Sequence, residues 1–251
     1  MDTLQVEELA KERPYLKEIL ELYNTLRTLE EITVPIPDNE FDTHVSVEEH
    51  LADEILIPIG RSFKLDESDL ADLKSLLTGG NLPFREVPSG SAYIPSLPFG
   101  REEQEVLLFL LSRPLLRSEK AKLNLDGVFW EEGRCPTCNG LPVISFLEKE
   151  EKRRFHCSYC GTRGPWRRTG CPNCGSENPQ EVLILSLEGE DDMKIYACRS
   201  CKSYLKGFPM ELLAEYPPEL LDILSTPLDV VAQEKGYKRL SPNPVGMIKM
   251  S

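Results

Sequence analysis

Eight cysteines are the residues of this sequence whose type and spacing could do chemistry. They form four pairs, each with two residues between the cysteines: Cys135 with Cys138, Cys157 with Cys160, Cys171 with Cys174, and Cys198 with Cys201. This spacing lets a tight turn direct two thiolates at one ion, and two such turns complete a tetrahedral ligand set. One pair alone would also be typical of a redox motif, but four pairs with no cysteine left over predict metal sites.

The segments between the pairs predict which pairs share an ion. Strand-like runs at 142–147 and 153–156 follow the first pair, and similar runs at 182–187 and 194–197 follow the third. A β-hairpin brings its two ends together, so each hairpin is expected to close its own site. The interleaved alternative, with the first pair joined to the third and the second to the fourth, would leave both hairpins unclosed. The predicted ligands are Cys135, Cys138, Cys157 and Cys160 for site 1, and Cys171, Cys174, Cys198 and Cys201 for site 2.

Four cysteine ligands narrow the choice of metal ion, but they determine neither its identity nor whether it is structural or redox-active. Zinc and iron both accept four thiolates in tetrahedral geometry. The ions could be structural, each replacing a hydrophobic core that a short ribbon cannot build, or they could be rubredoxin-like iron that transfers one electron. Four cysteines leave no coordination position vacant, and we predict no catalytic residue. His156, beside Cys157, is expected to be an exposed strand residue rather than a ligand.

Residues 152–176 form a basic stretch in an acidic protein, with six Lys or Arg residues and no acidic residue. One interpretation is charge compensation near the thiolates within a solvated loop. The other is a docking surface for an acidic partner, because arginine and tryptophan are common anchors at interfaces. The candidate contact residues of that surface are Arg163, Trp166, Arg167 and Arg168.

Composition limits the class of protein. The formal net charge of −13 disfavours nonspecific binding to nucleic acid, which depends on an excess of Lys and Arg. No apolar run approaches the roughly 20 residues that span a bilayer, and the first twenty residues show no signal-peptide pattern. We therefore expect a cytoplasmic protein without a membrane partner, in which the cysteines stay reduced.

Helical patterns surround the cysteine-rich region. Helices are predicted over 4–31, 66–77 and 102–125, and again over 211–216, 220–224 and 228–235. Ser46 and Glu49 predict a capping box at the start of a further helix. We therefore predict an α+β fold with a helical N-terminal domain, two tandem ribbons that are rubredoxin-like or zinc-ribbon-like, and a C-terminal helix packed on the rest. The predicted domains are 1–127, 128–168, 169–208 and 209–251.

Over residues 130–245 the chain resembles the formate dehydrogenase accessory protein family, FdhE. The resemblance is carried by four cysteine motifs and the segment after them: 135–143 (CPTCNGLPV), 155–160 (FHCSYC), 168–175 (RTGCPNCG), 198–206 (CRSCKSYLK), and 228–237 (LDVVAQEKGY) followed by Asn243-Pro244. In one departure, the chain has Gly164 where the family usually has tryptophan, and Trp166 lies two positions later.

The resemblance implies a cytoplasmic maturation factor that contacts the catalytic subunit of formate dehydrogenase, with cysteine sites associated with rubredoxin-type iron. The sequence does not determine whether the chain forms a homodimer. Two other classes remain as alternatives: a nucleic-acid-binding zinc-ribbon protein and a rubredoxin-like electron-transfer protein.

Overall fold

The computed structural model describes residues 11, 17–37, 45–148, 152–187 and 190–247. Within it the chain divides into two compact units. One comprises residues 124–241, and the other comprises residues 2–123 together with 242–251. Most of the predicted first helix before residue 17 lies outside the described residues. No described helix is both long enough and apolar enough to cross a bilayer.

The N-terminal unit is built from α-helices, as predicted. They are α1 (Lys17–Glu31), α2 (Glu49–Phe63), α3 (Glu67–Thr78) and α4 (Arg101–Leu123), with short 3-10 turns at Val87–Ser89 and Pro244–Met247. Each α-helix buries an apolar face, and α4 buries nearly all of its central residues. Helix α1 packs against both α2 and α4.

The capping prediction at α2 is wrong. Glu48 precedes this helix and no side chain caps it, while the Ser46 hydroxyl donates to the Thr78 carbonyl instead. A capping box does exist at α3, where Asp66 accepts from the backbone N–H of Asp69 at 2.8 Å. The Ser46 hydroxyl thus contacts the end of α3 instead of capping the start of α2. A capping motif of a few residues cannot predict such a partner, because Thr78 lies 32 positions away.

The unit 124–241 contains a mixed sheet. Its strands are β1 (Ile144–Leu147), β2 (Arg153–His156), β3 (Arg163–Trp166), β4 (Val182–Leu187), β5 (Glu190–Cys198), β6 (Ser203–Pro209) and β7 (Lys238–Arg239). The main path runs β3-β2-β1-β6-β5-β4, and β7 pairs with β6. The predicted hairpins are therefore β1–β2 and β4–β5, and each gains a third strand after its second cysteine pair.

The two ribbons join through β1 and β6. These strands pair in parallel, with Ile144 opposite Lys206 and Leu147 opposite Pro209. The remaining neighbours on the main path are antiparallel. The predicted α+β class with two four-cysteine modules is confirmed, and the two modules share one continuous sheet. The division into separate ribbon domains at residues 168 and 169 stays a prediction.

Two short helices cover the sheet, at the positions of the helical runs predicted over 220–224 and 228–235. They are α5 (Pro218–Leu224) and α6 (Thr226–Glu234), preceded by a 3-10 turn at Met210–Ala214. Leu221 of α5 packs in one apolar cluster with residues of β1 and β6. Leu228 and Ala232 of α6 pack in a second cluster with residues of β5 and β6. These clusters provide the hydrophobic core of the unit that holds the cysteines.

Candidate metal centres

Each cysteine pair lies in the same kind of turn. The residue that follows the second cysteine donates its backbone N–H to the carbonyl of the first cysteine, at 2.8–3.0 Å in all four turns. That donor has a positive φ in every case, a conformation that glycine and asparagine adopt most readily. The four donors are Asn139, Gly161, Gly175 and Lys202. The turn folds both sulfurs toward one point, which explains why two residues separate each pair.

The turns bring the eight cysteines into two groups of four. In site 1 (Cys135, Cys138, Cys157, Cys160) and in site 2 (Cys171, Cys174, Cys198, Cys201), all sulfurs lie within 4.8 Å of one another. The grouping joins the first pair to the second and the third to the fourth, as the hairpin argument predicts, and excludes the interleaved arrangement.

The spacing of the sulfurs fits an ion better than a disulfide. In site 1 the Sγ atoms of Cys135 and Cys160 are 3.5 Å apart. In site 2 the Sγ atoms of Cys174 and Cys198 are 3.7 Å apart. A tetrahedral ion with metal–sulfur bonds of about 2.3 Å separates its ligands by about 3.8 Å, whereas a disulfide bond is about 2.05 Å long. All eight cysteines are free thiols, so both groups could accept a metal ion.

The two groups differ in exposure. All four cysteines of site 1 are buried, and Cys157 and Cys160 have no exposed surface. In site 2, Cys171 and Cys198 are buried, Cys201 is partly exposed and Cys174 is exposed. Each site also contains a hydroxyl near its sulfurs. Thr162 Oγ1 lies 3.1 Å from Cys160 Sγ, and Ser203 Oγ lies 3.0 Å from Cys201 Sγ.

Burial raises the pKa of thiols in both sites, and at Cys201 hydrogen bonding opposes this effect. Burial raises the pKa of Cys157 well above its ordinary value and raises the pKa of Cys171 to about 12. Burial also opposes ionisation of Cys201, but hydrogen bonding, chiefly from Ser203, lowers the pKa of Cys201 to about 6. A bound divalent ion would hold all four thiols of a site as thiolates, and its binding would release protons. Metal affinity at both sites should therefore fall as the solution is acidified.

Aromatic packing supports the ribbon around site 1. Trp130 is fully buried and contacts Phe155 edge-on, with ring centroids 5.4 Å apart. Trp166, which is 6% exposed, stacks on Phe155 with centroids 4.6 Å apart. Gly164 makes this packing possible, because a Cβ atom there would lie 2.1 Å from the Val128 carbonyl oxygen and 2.7 Å from Trp130 Nε1. Gly164 therefore leaves room for Trp130.

Replacing Gly164 with alanine is expected to destabilise the first ribbon by about 2–3 kcal/mol, because the methyl group overlaps backbone that cannot move without disturbing β3. Urea unfolding followed by tryptophan emission measures the loss. Gly246→Ala is the control, since a Cβ atom at Gly246 meets nothing within 4 Å. Equal stability of the two variants would contradict the role assigned to Gly164.

The expectation that His156 is exposed is wrong. His156 lies on β2 as predicted, but its side chain is only 2% exposed, and its Nε2 atom lies 3.0 Å from Oε1 of Glu219 at the start of α5. The contact joins residues 63 positions apart. The partner on α5 makes burial of the polar ring acceptable, and this pairing could not be inferred from the residues beside Cys157.

Some side chains of the basic stretch are buried, and others are exposed. Arg153 is buried, with its guanidinium 4.4 Å from the Tyr196 ring centroid. Trp166 is buried too, so it offers almost no surface to a partner. Arg163 and Arg168 are exposed. Arg167 is partly exposed and forms an ion pair with Glu177, the residue that follows the stretch. The exposed part of the predicted docking surface therefore consists of arginine side chains.

A buried ionic network joins strands β6 and β7 to helices α5 and α6, and it was not predicted from the sequence. Lys206 on β6 has no exposed side-chain surface, and its Nζ lies 2.6 Å from Asp222 Oδ1 and 2.8 Å from Asp229 Oδ2. Arg239 on β7 pairs with the same two carboxylates at 2.5 and 3.0 Å. Tyr204 donates its hydroxyl to Asp229 Oδ1 at 2.7 Å. Two cations and two carboxylates thus alternate in a closed, charge-balanced ring.

The network lowers the pKa of the Asp222 carboxyl. Burial alone would raise the pKa of the Asp222 carboxyl, but the charges of Arg239 and Lys206 hold that pKa well below its ordinary value of 3.8. Asp222 therefore contributes stability above pH 3.8, and this contribution is lost as the pH falls further. The sequence signal for the network was Lys206 itself, a charged residue inside the otherwise uncharged strand Ser203–Pro209.

Comparison with known proteins finds similarity in the part of the chain that holds the cysteine sites. A family model described as "FdhE, C-terminal domain" matches residues 169–245, which include all of site 2. A curated FdhE homolog from Aquifex aeolicus is 31% identical over 153 residues, covering 59% of this chain and 54% of the relative. An FdhE homolog from Haemophilus influenzae strain PittGG is 34% identical over 113 residues, covering 44% of this chain and 37% of the relative. The matched region thus spans about half or less of these relatives.

The fold extends the similarity to nearly the whole chain. A crystal structure of the FdhE protein from Pseudomonas aeruginosa superposes with a TM-score of 0.62, covering 95% of this chain and 92% of that one at 20% identity. At this identity the superposition shows a common fold. Together, the comparisons show that residues 169–245 are similar to the C-terminal domain of FdhE and that the chain shares the fold of an FdhE protein.

Proposed function

We propose that this chain is a non-catalytic accessory factor that binds the catalytic subunit of formate dehydrogenase during its maturation. The observation that carries the proposal is the match of residues 169–245 to the FdhE C-terminal domain, which contains the complete site 2. Four cysteines in each site leave no open position for a substrate, which favours a binding role over catalysis. The net charge of −13 disfavours a nucleic-acid partner.

We further propose that sites 1 and 2 each hold one ion, iron or zinc, and that the protein works in the cytoplasm. The fit rests on the sulfur spacing of both groups and on the eight free thiols, which are typical of a reducing compartment. A bound ion would join the two turns of each ribbon and contribute its binding energy to folding. The cysteine side chains would hold the ion, and the N–H donors within each turn would keep the sulfurs in place.

Two measurements test this function. The tagged chain is purified anaerobically from its own host, and bound proteins are identified by mass spectrometry. In parallel, formate dehydrogenase activity is measured in cells that lack the gene and in cells that carry it again. We expect the catalytic subunit to co-purify, and the activity to fall in the mutant and recover on complementation, while an unrelated oxidoreductase is unaffected. Unchanged activity together with no captured subunit would reject the proposal.

Elemental analysis of the same sample tests the metal content. We expect about two ions per chain. A visible absorbance typical of ferric tetrathiolate, bleached by mild reductant, would favour rubredoxin-like electron transfer. A colourless protein with two zinc ions would favour a structural role for both sites.

The exposed arginines provide a test of the partner surface. Replacing both Arg167 and Arg168 with glutamate is expected to reduce capture of the catalytic subunit at least tenfold, because an acidic partner surface would then face like charges. The metal content should remain two ions per chain. Capture is measured by quantitative pull-down at fixed salt.

A matched double variant, Arg61→Glu with Arg101→Glu, controls for net charge. Both of these arginines are exposed on helices of the N-terminal unit, so the control adds the same charge to the unit that does not contain the ribbons. If both double variants capture the partner equally well, the basic stretch does not form the docking surface.

A further inference from the structure

The covering of site 1 differs from that of site 2. In site 1, Ser158 and Tyr159 separate the second pair of cysteines, and both are buried, at 6% and 2% exposed. Gly161 and Thr162, which follow this pair, are buried as well. The sulfurs of Cys157 and Cys160 therefore lie beneath protein atoms. In the first turn Pro136 and Thr137 are partly exposed, but Cys135 and Cys138 are buried, so an incoming ligand has little access to an ion in this site unless the ribbon opens.

Site 2 is open on one side. Cys174 is exposed, and so are its neighbours Asn173 and Gly175. In the facing turn, Arg199 and Ser200 are exposed between the two cysteines of the fourth pair. An ion held by this site would thus be shielded on one side by Cys171 and Cys198 and would be approachable along the Cys174 side.

Charge at the opening indicates the class of ligand that could enter. Four thiolates around a divalent ion carry a net charge of about −2, which repels anions. Arg199 and Lys202 are exposed in the turn that holds Cys198 and Cys201, and their charges offset part of that repulsion. Anionic donor ligands, such as thiolates and aminocarboxylate chelators, can therefore approach an ion at site 2 more readily than the thiolate charge alone would allow.

We propose that site 2 is an exchange site, which gives up and takes up its ion through the exposed Cys174 side, whereas site 1 releases its ion only slowly, when the ribbon opens. The inference rests on the proposed function, since it requires an ion in each site. Exchange proceeds by substitution: an incoming thiolate or carboxylate binds the ion as the Cys174 sulfur leaves it. Site 2 would then be the place where this accessory factor passes an ion to, or receives one from, cysteines of another protein.

The chain contains an internal reporter for the test. Both of its tryptophans, Trp130 and Trp166, are buried in the first ribbon against Phe155. The full chain is loaded with two zinc ions and mixed with excess EDTA, and protein-bound zinc is followed with time. We expect one equivalent to leave at least tenfold faster than the other. Tryptophan emission should change only during the slow phase.

Two variants show which site releases its zinc ion in each kinetic phase. Cys174→Ser should bind one zinc ion that leaves only in the slow phase, with the wild-type emission spectrum. Cys138→Ser, matched in chemistry but at the buried site, should lose the slow phase and keep the fast one. If Cys138→Ser does not fold, wild-type kinetics and Cys174→Ser still decide the question.

The results separate two kinds of failure. Two ions that leave in a single phase, or a fast phase that persists in Cys174→Ser, would overturn the exchange site and leave the accessory function standing. A chain that binds fewer than two zinc ions would contradict the two-ion proposal itself, and the exchange site would fall with it.

Discussion

Cys157→Ser is expected to halve the metal content and to lower the free energy of unfolding of the first ribbon by several kcal/mol. Structural zinc contributes roughly 10–16 kcal/mol to small domains held by four ligands. Cys157 is fully buried at the end of β2, so its loss also leaves three buried thiols without their ion. The measurements are zinc per chain and urea unfolding followed by the emission of Trp130 and Trp166.

Pro136→Ala is the control for Cys157→Ser. Pro136 lies between Cys135 and Cys138 in the first turn and contributes no sulfur to site 1. We expect this variant to keep two ions and nearly all of its stability. A Cys157→Ser chain with two ions and wild-type emission would show that site 1 does not hold its ion through all four cysteines.

Asp229→Asn is expected to destabilise the unit 124–241 by about 3–5 kcal/mol, the usual result of removing one partner from a buried ion pair. The change leaves Lys206 and Arg239 with one carboxylate instead of two, and all three side chains lie in the interior. It also removes the charged acceptor of the Tyr204 hydroxyl. Urea unfolding at pH 7 measures the effect, and metal content reports whether site 2 stays intact.

Glu234→Gln serves as the comparison for Asp229→Asn. Glu234 lies on the same helix, α6, but is exposed, so the loss of its charge should change the stability by less than about 0.5 kcal/mol. If Asp229→Asn were as stable as Glu234→Gln, the ring of charges would contribute nothing beyond its hydrophobic surroundings.

The sulfur sites were predictable because their determinants are local. Each turn is specified by a few consecutive residues, and each hairpin by strand-like runs that lie close in sequence. The grouping of Cys135 and Cys138 with Cys157 and Cys160 follows from these two facts, and the structure shows the same grouping.

The features that sequence analysis missed depend on residues far apart in the chain. The parallel pairing of β1 with β6 joins Ile144 to Lys206, and no local pattern specifies that register. His156 was expected on the surface because its partner, Glu219, lies 63 residues away. The burial of Trp166 was missed for another reason: its stacking partner Phe155 lies in the same basic stretch, but only the pairing of β2 with β3 brings the two rings together.

Because β1 and β6 run parallel, the two rims of the sheet, where its strands begin and end, differ from each other. Strand β1 leads away from the Cys138 turn and β6 leads away from the Cys201 turn, and since they run in the same direction, both clusters lie beside the same rim of the sheet. The β1–β2 connection leaves from the opposite rim. A fluorophore or affinity handle inserted in that connection would therefore leave the sulfur-bearing rim clear for whatever approaches it.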